Sequence, residues 1–385
     1  MKIPIRYNIG SLWVRRTGTL MTMLGIGFTV SIFVTMMALV NGLESTFVDT
    51  GQENHLIVIR QGGLNEVNSY FMRDLFPTIR FLPGVAKGAD GEPLAVGENV
   101  VVISHFRVGG QPSNLIVRGT SEMGFLLRPE VKIVEGRQFR AGLREINVSR
   151  SVSRRFQGMA LGDTIHFARS GWKVVGIFDA NGTAYDSEVW AEYGEICQEW
   201  DRPSYSSILL KAENAAAAED IRRRIADDRR INLQAIPQRK YYADQTASSA
   251  GIKVLGYFIA VMMGIGASFA AMNMMYGAVM SRSKEVGTLR ALGFRKRSIL
   301  ASFLLESMIL GLAGGIVGCL LALPMNGIST GTANFQTFSE VLFHFRVTPT
   351  VLLRGLVYAT LVGALGGYLP ARRAARVKLI DIMRE

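Results

Sequence analysis

Charged residues vanish from four stretches of the chain. No Asp, Glu, Lys or Arg occurs from Thr17 to Leu43, Val254 to Ser281, Ser307 to Ser339, or Gly355 to Ala371. The centre of the first, Leu20–Val40, reads LMTMLGIGFTVSIFVTMMALV. A helix crossing a bilayer needs about 20 apolar residues, so the pattern predicts four spans. The last run is short, and it reaches bilayer length when its helix starts near Thr350 and Arg354 snorkels to the interface. A cleavable signal peptide carries an apolar region of only about 7–15 residues before a small-residue cleavage site. The first run is longer and lacks such a site, so it reads as an uncleaved anchor. The predicted division is a segment 1–19, a first span 20–43, a large domain 44–250, a second span 251–280, a loop 281–297, a third span 298–325, a short outer loop 326–348, a fourth span 349–371 and a tail 372–385.

The large domain between spans one and two has no apolar run of bilayer length. Short strand-like runs occur at Leu56–Arg60, Asn99–Ile103, Phe106–Val108, Asn114–Gly119, Ile146–Val148, Thr164–Phe167, Lys173–Phe178, Ser207–Leu210 and Asn232–Ile236, with Gly and Pro between them. Glu66–Leu82 reads as mostly helical despite Pro77, and Asn214–Asp228 as a helix capped by Asn214. The expected fold class is an α+β membrane protein, with four transmembrane helices and a large mixed α/β domain. In that domain, 51–82 and 204–240 form a membrane-proximal part and 83–203 a β-rich insertion. Phe47–Glu53 and Arg239–Lys253 would continue spans one and two as stalks, with Ser248, Ser249 and Gly251 as a soft joint.

The charge that is present has a direction. The chain of 385 residues carries 43 Lys+Arg against 31 Asp+Glu, a net +12. A basic excess of this size first suggests nucleic acid, yet the mean hydropathy is +0.22. Lys2, Arg6, Arg15 and Arg16 lie before span one; Arg282, Lys284, Arg290, Arg295, Lys296 and Arg297 lie in the 281–297 loop; Arg372, Arg373, Arg376, Lys378 and Arg384 lie in the tail. Set against Glu285, Asp381 and Glu385, these segments hold the whole net +12, and the remainder sums to zero. Four spans put all three on one side, which the positive-inside rule makes cytoplasmic. The excess therefore signals orientation and contact with membrane lipid, and no nucleic-acid partner is expected.

No catalytic or metal constellation stands out. His55, His105, His166 and His344 are scattered, and Cys197 and Cys319 are poor disulfide partners because one belongs to the large domain and the other to a span. Glu188, Glu192 and Glu195 read as a solvated helix face, as do Asp227 and Asp228. Arg222–Arg224 with Glu219 and Asp220 reads as a salt-bridged helix surface. Glu306 sits near the start of span three, where an acid is a functional candidate. The alternative is a structural partner for an arginine such as Arg290, or snorkelling to the cytoplasmic interface. No Lys is followed by Ser or Thr, so the phosphate-binding G-x-x-x-x-G-K-[ST] loop is absent, and ATP hydrolysis by this sequence is not expected.

The loop after span two reads RSKEVGTLRALG over Arg282–Gly293. Val286, Leu289 and Leu292 recur every three residues and are expected on one helix face. Gly287 weakens the helix and Gly293 can end it. An interfacial helix or a docking helix for a protein partner both fit. The stretch closely resembles the R-x-x-E-[IV]-G-x-L-R-A-L-G signature of FtsX-like permeases, the MacB/LolC/LolE/FtsX group of ABC transporters. Arg282, Glu285, Val286, Gly287, Leu289, Arg290, Ala291, Leu292 and Gly293 fill its positions. ESMILGLAGGIVG at Glu306–Gly318 and PARRAA at Pro370–Ala375 are similar too, as is the layout of one span, a large domain and three spans.

The resemblance implies a coupling helix at 281–297 seated on an ABC ATPase subunit, which binds ATP and Mg; this chain would bind no cofactor itself. It implies a permease subunit in a bacterial inner membrane, paired with a second permease copy or paralogue, with both termini cytoplasmic and the large domain periplasmic. ATP-driven motion would pass through the spans to that domain, termed mechanotransmission, for export or extraction of a lipophilic, peptide or lipoprotein substrate, with a periplasmic partner protein. An FtsX-type regulator of a cell-wall hydrolase and a membrane receptor without an ATPase stay open as alternatives. The glycine pairs Gly311/Gly315, Gly314/Gly318 and Gly363/Gly367 permit close helix approach, expected mainly between spans of one chain. Gly25 and Gly27 in span one are expected at the dimer contact that the family implies.

Overall fold

The computed structural model describes residues 16–201, 203–228, 230–334, 337 and 339–376, with backbone alone at 247–250. Lys2, Arg6, Arg15, Lys378, Asp381, Arg384 and Glu385, and the side chains of Ser248 and Ser249, lie outside the described residues. The chain divides into two compact units. One is 1–41, 251–328 and 345–385, and the other is 42–250 and 329–344.

In chain order the elements are α1 (Arg16–Val48), β1 (His55–Arg60), β2 (Phe71–Met72), α2 (Leu75–Arg80), β3 (Ala95–Phe106), β4 (Pro112–Thr120), α3 (Glu122–Leu126), β5 (Lys132–Gly136) and β6 (Glu145–Ser149). Next come α4 (Arg150–Arg155), β7 (Thr164–Phe167), β8 (Ser170–Asp179), β9 (Glu188–Glu192), α5 (Tyr193–Glu199), β10 (Ser204–Tyr205), β11 (Ser207–Lys211), α6 (Ala215–Asp227), β12 (Leu233–Pro237) and α7 (Gln238–Gln245). The chain continues through α8 (Ala247–Ser281), α9 (Ser283–Ala291), α10 (Lys296–Ala322), β13 (Ser329–Ala333), β14 (Glu340–His344) and α11 (Pro349–Arg376).

The helices α1, α8, α10 and α11 are each long and apolar enough to cross a membrane. Their side chains interlock through small residues and aliphatic contacts, with Val30, Val34, Ala322, Val351 and Ala359 fully buried among them. At 33 and 35 residues, α1 and α8 extend to about 50 Å, beyond the roughly 30 Å hydrocarbon core.

The large unit is built on one sheet of order β12-β1-β11-β3-β4-β9-β6-β8-β5, with β7 paired to β8. Most pairs are antiparallel, while β4–β9 and β6–β8 are parallel. Asn214 caps α6 by accepting from the Ala217 amide at 2.9 Å, and Ile221 and Ile225 on that helix bury against Leu56, Val58, Ile208 and Leu210. A second core collects Val117, Val148, Trp172, Val174 and Val189. The β3 strand pairs with β11 on one side and β4 on the other. The sheet is thus continuous across the anticipated boundary between a membrane-proximal part and an insertion.

Two expectations change. Only Leu75–Arg80 of the helix anticipated over Glu66–Leu82 is helical. Before it, Asn65 Oδ1 accepts from the Asn68 amide, and Ser69 Oγ accepts from the Arg60 amide at the end of β1, both at 2.9 Å, which ties this stretch to the strand as a turn. The outer loop 326–348 contains the hairpin β13–β14. Leu342 on this hairpin is 3% exposed and sits in the second core. Glu340 accepts from Arg107 Nε at 2.9 Å, Arg155 at 2.8 Å and Ser113 Oγ at 2.7 Å.

Candidate functional site

The α9 helix is short, and its end is fixed by backbone chemistry. Gly293 takes φ +90, a left-handed conformation suited to glycine. Its amide donates to the Arg290 carbonyl and that of Phe294 to the Leu289 carbonyl, both at 3.1 Å. This paired pattern is the Schellman motif. Val286, 2% exposed, anchors the helix among Met275, Val279, Ile299, Phe303 and Ala374. Leu289 is half-buried, and Leu292 is 67% exposed. The expected single apolar face is therefore split. Each three-residue step falls about 60° short of a full turn, which carries Leu292 some 120° away from Val286 and onto the open side with Lys284, Glu285 and Thr288.

Arg282 stands between α8 and α9 and is 9% exposed. Its Nε donates to Glu285 Oε2 at 3.0 Å and its Nη1 to Glu306 Oε2 at 3.2 Å. The guanidinium also lies over the Phe303 ring, 5.6 Å from its centroid. Glu306 is 4% exposed. An arginine partner for Glu306, such as Arg290, was the expectation, and the arginine that faces it is Arg282. Arg290 lies about two turns further along α9, and its buried Nε has no hydrogen-bond partner among the described residues.

The span glycines separate into two seams. A Cβ on Gly311 would lie 2.6 Å from the Ala359 carbonyl, and one on Gly315 would lie 2.6 Å from Ala359 Cβ. Gly363 and Gly367 face Ser307 and the Gly311 turn across the same seam. Gly314 and Gly318 instead face α1, where Gly27 lies against them. Gly27 therefore packs against α10 inside the chain. A Cβ on Gly25 would meet no atom of another element within 4 Å, so this glycine faces outward.

Sequence reading missed the most heavily charged cluster. Arg118, fully buried on β4, donates to Glu188 at 2.7 and 2.8 Å, to Glu98 at 2.7 Å and to Glu66 at 3.0 and 3.1 Å. Arg128 makes two further bonds of 2.7 Å to Glu98. Burial alone would raise the Glu98 pKa, but the Arg128 and Arg118 charges outweigh it and hold the group at about 2. Glu188 thus belongs to a strand, correcting its reading as part of a solvated helix face. Glu192 caps α5 by accepting from the Glu195 amide at 2.8 Å, and Glu195 accepts from the Arg144 amide at 2.7 Å. The sequence signal is weak: Glu98 and Glu188 each stand just before a short apolar run, Val100–Ile103 and Val189–Ala191, with nothing nearby to name a partner.

The model of the MacB-like periplasmic core domain matches residues 19–228, and that of the FtsX-like permease C-terminal region matches 257–379. The chain is an FtsX-like permease with a MacB-like periplasmic core domain. "Macrolide export ATP-binding/permease protein MacB" of Sodalis glossinidius is 26% identical over 96% of this chain and 58% of its own length. The protein of the same description from Escherichia coli is 26% identical over 94% of this chain and 57% of its own. The chain thus spans a little over half the length of these relatives. The extracellular domain of the ABC-type transporter YknZ from Gram-positive bacteria is 15% identical, with a TM-score of 0.37, over 48% of this chain and all of that one. In this FtsX-like permease, α9, Arg282 and Glu306 all fall within the matched C-terminal region, and the Arg118 cluster within the periplasmic core domain.

Proposed function

We propose that this chain is the permease subunit of an ABC transporter that passes ATP-driven motion of an ATPase subunit to its periplasmic domain. The observation that carries the reading is the two-sidedness of α9. Val286 is locked in the bundle while Lys284, Glu285, Thr288 and Leu292 are offered outward. A helix held on one side and open on the other is suited to receive a push from a partner that grips it. ATP and Mg belong to that ATPase. A second permease copy or paralogue completes the assembly, and a lipophilic, peptide or lipoprotein substrate is exported or extracted on the periplasmic side. The basic residues of the 281–297 loop support a cytoplasmic α9 at a bacterial inner membrane.

The test is reconstitution of the full chain in nanodiscs with an ATPase subunit from the same genome. The wild-type chain is expected to bind it and stimulate ATP turnover. Glu285→Lys with Leu292→Asp is expected to cut binding at least tenfold. Binding retained by that double variant would overturn the docking assignment.

A further inference from the structure

The bundle holds its α9 helix by two chemically different means. The apolar contacts of Val286 with Val279, Ile299 and Phe303 are non-directional and tolerate sliding. The Arg282 contacts are directional. A planar guanidinium offers donors in a fixed fork. Here one arm reaches Glu285 one turn along α9 at 3.0 Å, and another reaches Glu306 inside α10 at 3.2 Å. The ring of Phe303, one turn before Glu306 on α10, lies under the guanidinium, 5.6 Å from its carbon to the ring centroid. The arginine itself occupies the break between α8 and α9, with φ −111 and ψ 16. Three helices therefore meet at one residue: its amide donates to Val279 at the end of α8, and its side chain joins the start of α9 to the flank of α10.

We propose that Arg282 is a positioning residue that locks α9 to α10, so that a displacement of α9 moves α10 as one body with it. This deepens the permease reading and rests on it for its purpose, since a rigid α9–α10 joint matters most where α9 is pushed. The two arms are unequal. The Glu285 side chain is half-exposed, so its arm is screened by water. Arg282 and Glu306 are both buried, so displacement of one from the other strands a charge in an apolar surround. A charge of either sign satisfies that demand when its partner is opposite, whereas neither neutral replacement does. Arg282→Lys is a poor substitute, because an ammonium lacks the fork and cannot reach along two helices in one plane.

The joint is measurable in this chain alone, without an ATPase, so its failure is distinct from failure of the docking assignment. Nitroxide labels are placed on Thr288→Cys, exposed on α9, and Leu305→Cys, exposed on α10, in the full chain with Cys197→Ser and Cys319→Ala, in nanodiscs. The distance distribution is expected to be narrow with Arg282 and Glu306 present. It should at least double in width in Arg282→Gln and in Glu306→Gln, and change little in Glu285→Gln. The exchanged pair Arg282→Glu with Glu306→Arg should recover at least half of the narrowing. Recovery separates a charge-locked joint from a general loss of packing. Widths unchanged in both single variants, or no recovery in the exchanged pair despite an intact bundle by circular dichroism, would overturn the proposal.

Discussion

Arg282 and Glu306, 24 residues apart in sequence, share one buried ion pair at 3.2 Å between the start of α9 and the body of α10. Neither side chain is exposed beyond one-tenth. Removing one partner should therefore cost far more than a surface salt bridge. Glu306→Ala should lower the stability of the detergent-solubilised chain by about 3–5 kcal/mol, the cost of stranding a buried charge. Glu285→Ala should cost under about 1 kcal/mol. Thermal unfolding of the two variants side by side checks the ranking, and equal losses would contradict it.

The Glu98 carboxyl supplies a pH signature for the large domain. Its pKa is held at about 2 against an ordinary 4.5. A group with a lowered folded pKa stabilises the fold above the unfolded pKa, and that contribution is lost as pH falls through the folded value. Stability of the domain should therefore decline between about pH 4.5 and 2. The indole Nε1 of Trp190 donates to Glu188 at 2.8 Å, so Trp190 reports on the same cluster. Near-ultraviolet circular dichroism across that window is the measurement. In Glu98→Gln the decline should be shallower and the starting stability lower.

Glu340 ties the β13–β14 hairpin to the sheet through Arg107, Arg155 and Ser113. Hydrogen bonds to a charged group contribute about 1.5–3 kcal/mol each when removed singly. Glu340→Ala should speed amide exchange over Ser329–Ala333 and Glu340–His344 at least tenfold, while β1 and β11 exchange as before. Exchange by mass spectrometry reads both regions in one experiment.

The two glycines of span one should behave oppositely. A Cβ on Gly27 would meet the Gly314 carbonyl at 3.2 Å and Val317 at 3.3 Å, whereas one on Gly25 would meet nothing within 4 Å. Gly27→Leu should overpack the α1–α10 seam and cost roughly 1–3 kcal/mol. Gly25→Leu should leave the stability of a single chain unchanged. Unfolding in detergent at high dilution distinguishes the two, and equal effects would reject the seam.

Much of the architecture is legible from residue types alone. The uncharged runs mark the four long helices because a bilayer tolerates few charges. The basic residues beside them give the expected orientation, because Lys and Arg favour the cytoplasmic side. Asn214 and Gly293 announce a helix start and a helix end, since each satisfies backbone groups locally. The RSKEVGTLRALG stretch points to α9 without any coordinates.

Only tertiary structure decided which side chains meet. Glu306 needed a cation, yet spacing along a helix could not choose between Arg282 and Arg290, because the answer depends on where α9 lies against α10. Glu188 looked like part of an exposed acidic face until β9 paired with β4 and brought it to Arg118. The segment 326–348 reads as a short outer loop in sequence, and its hairpin is held by Glu340, whose arginines lie 185 and 233 residues earlier. The local chain fixes periodicity, caps and hydropathy. Ion pairs buried between distant segments are set by the fold that excludes water from them, and that information exists nowhere in any one stretch of sequence.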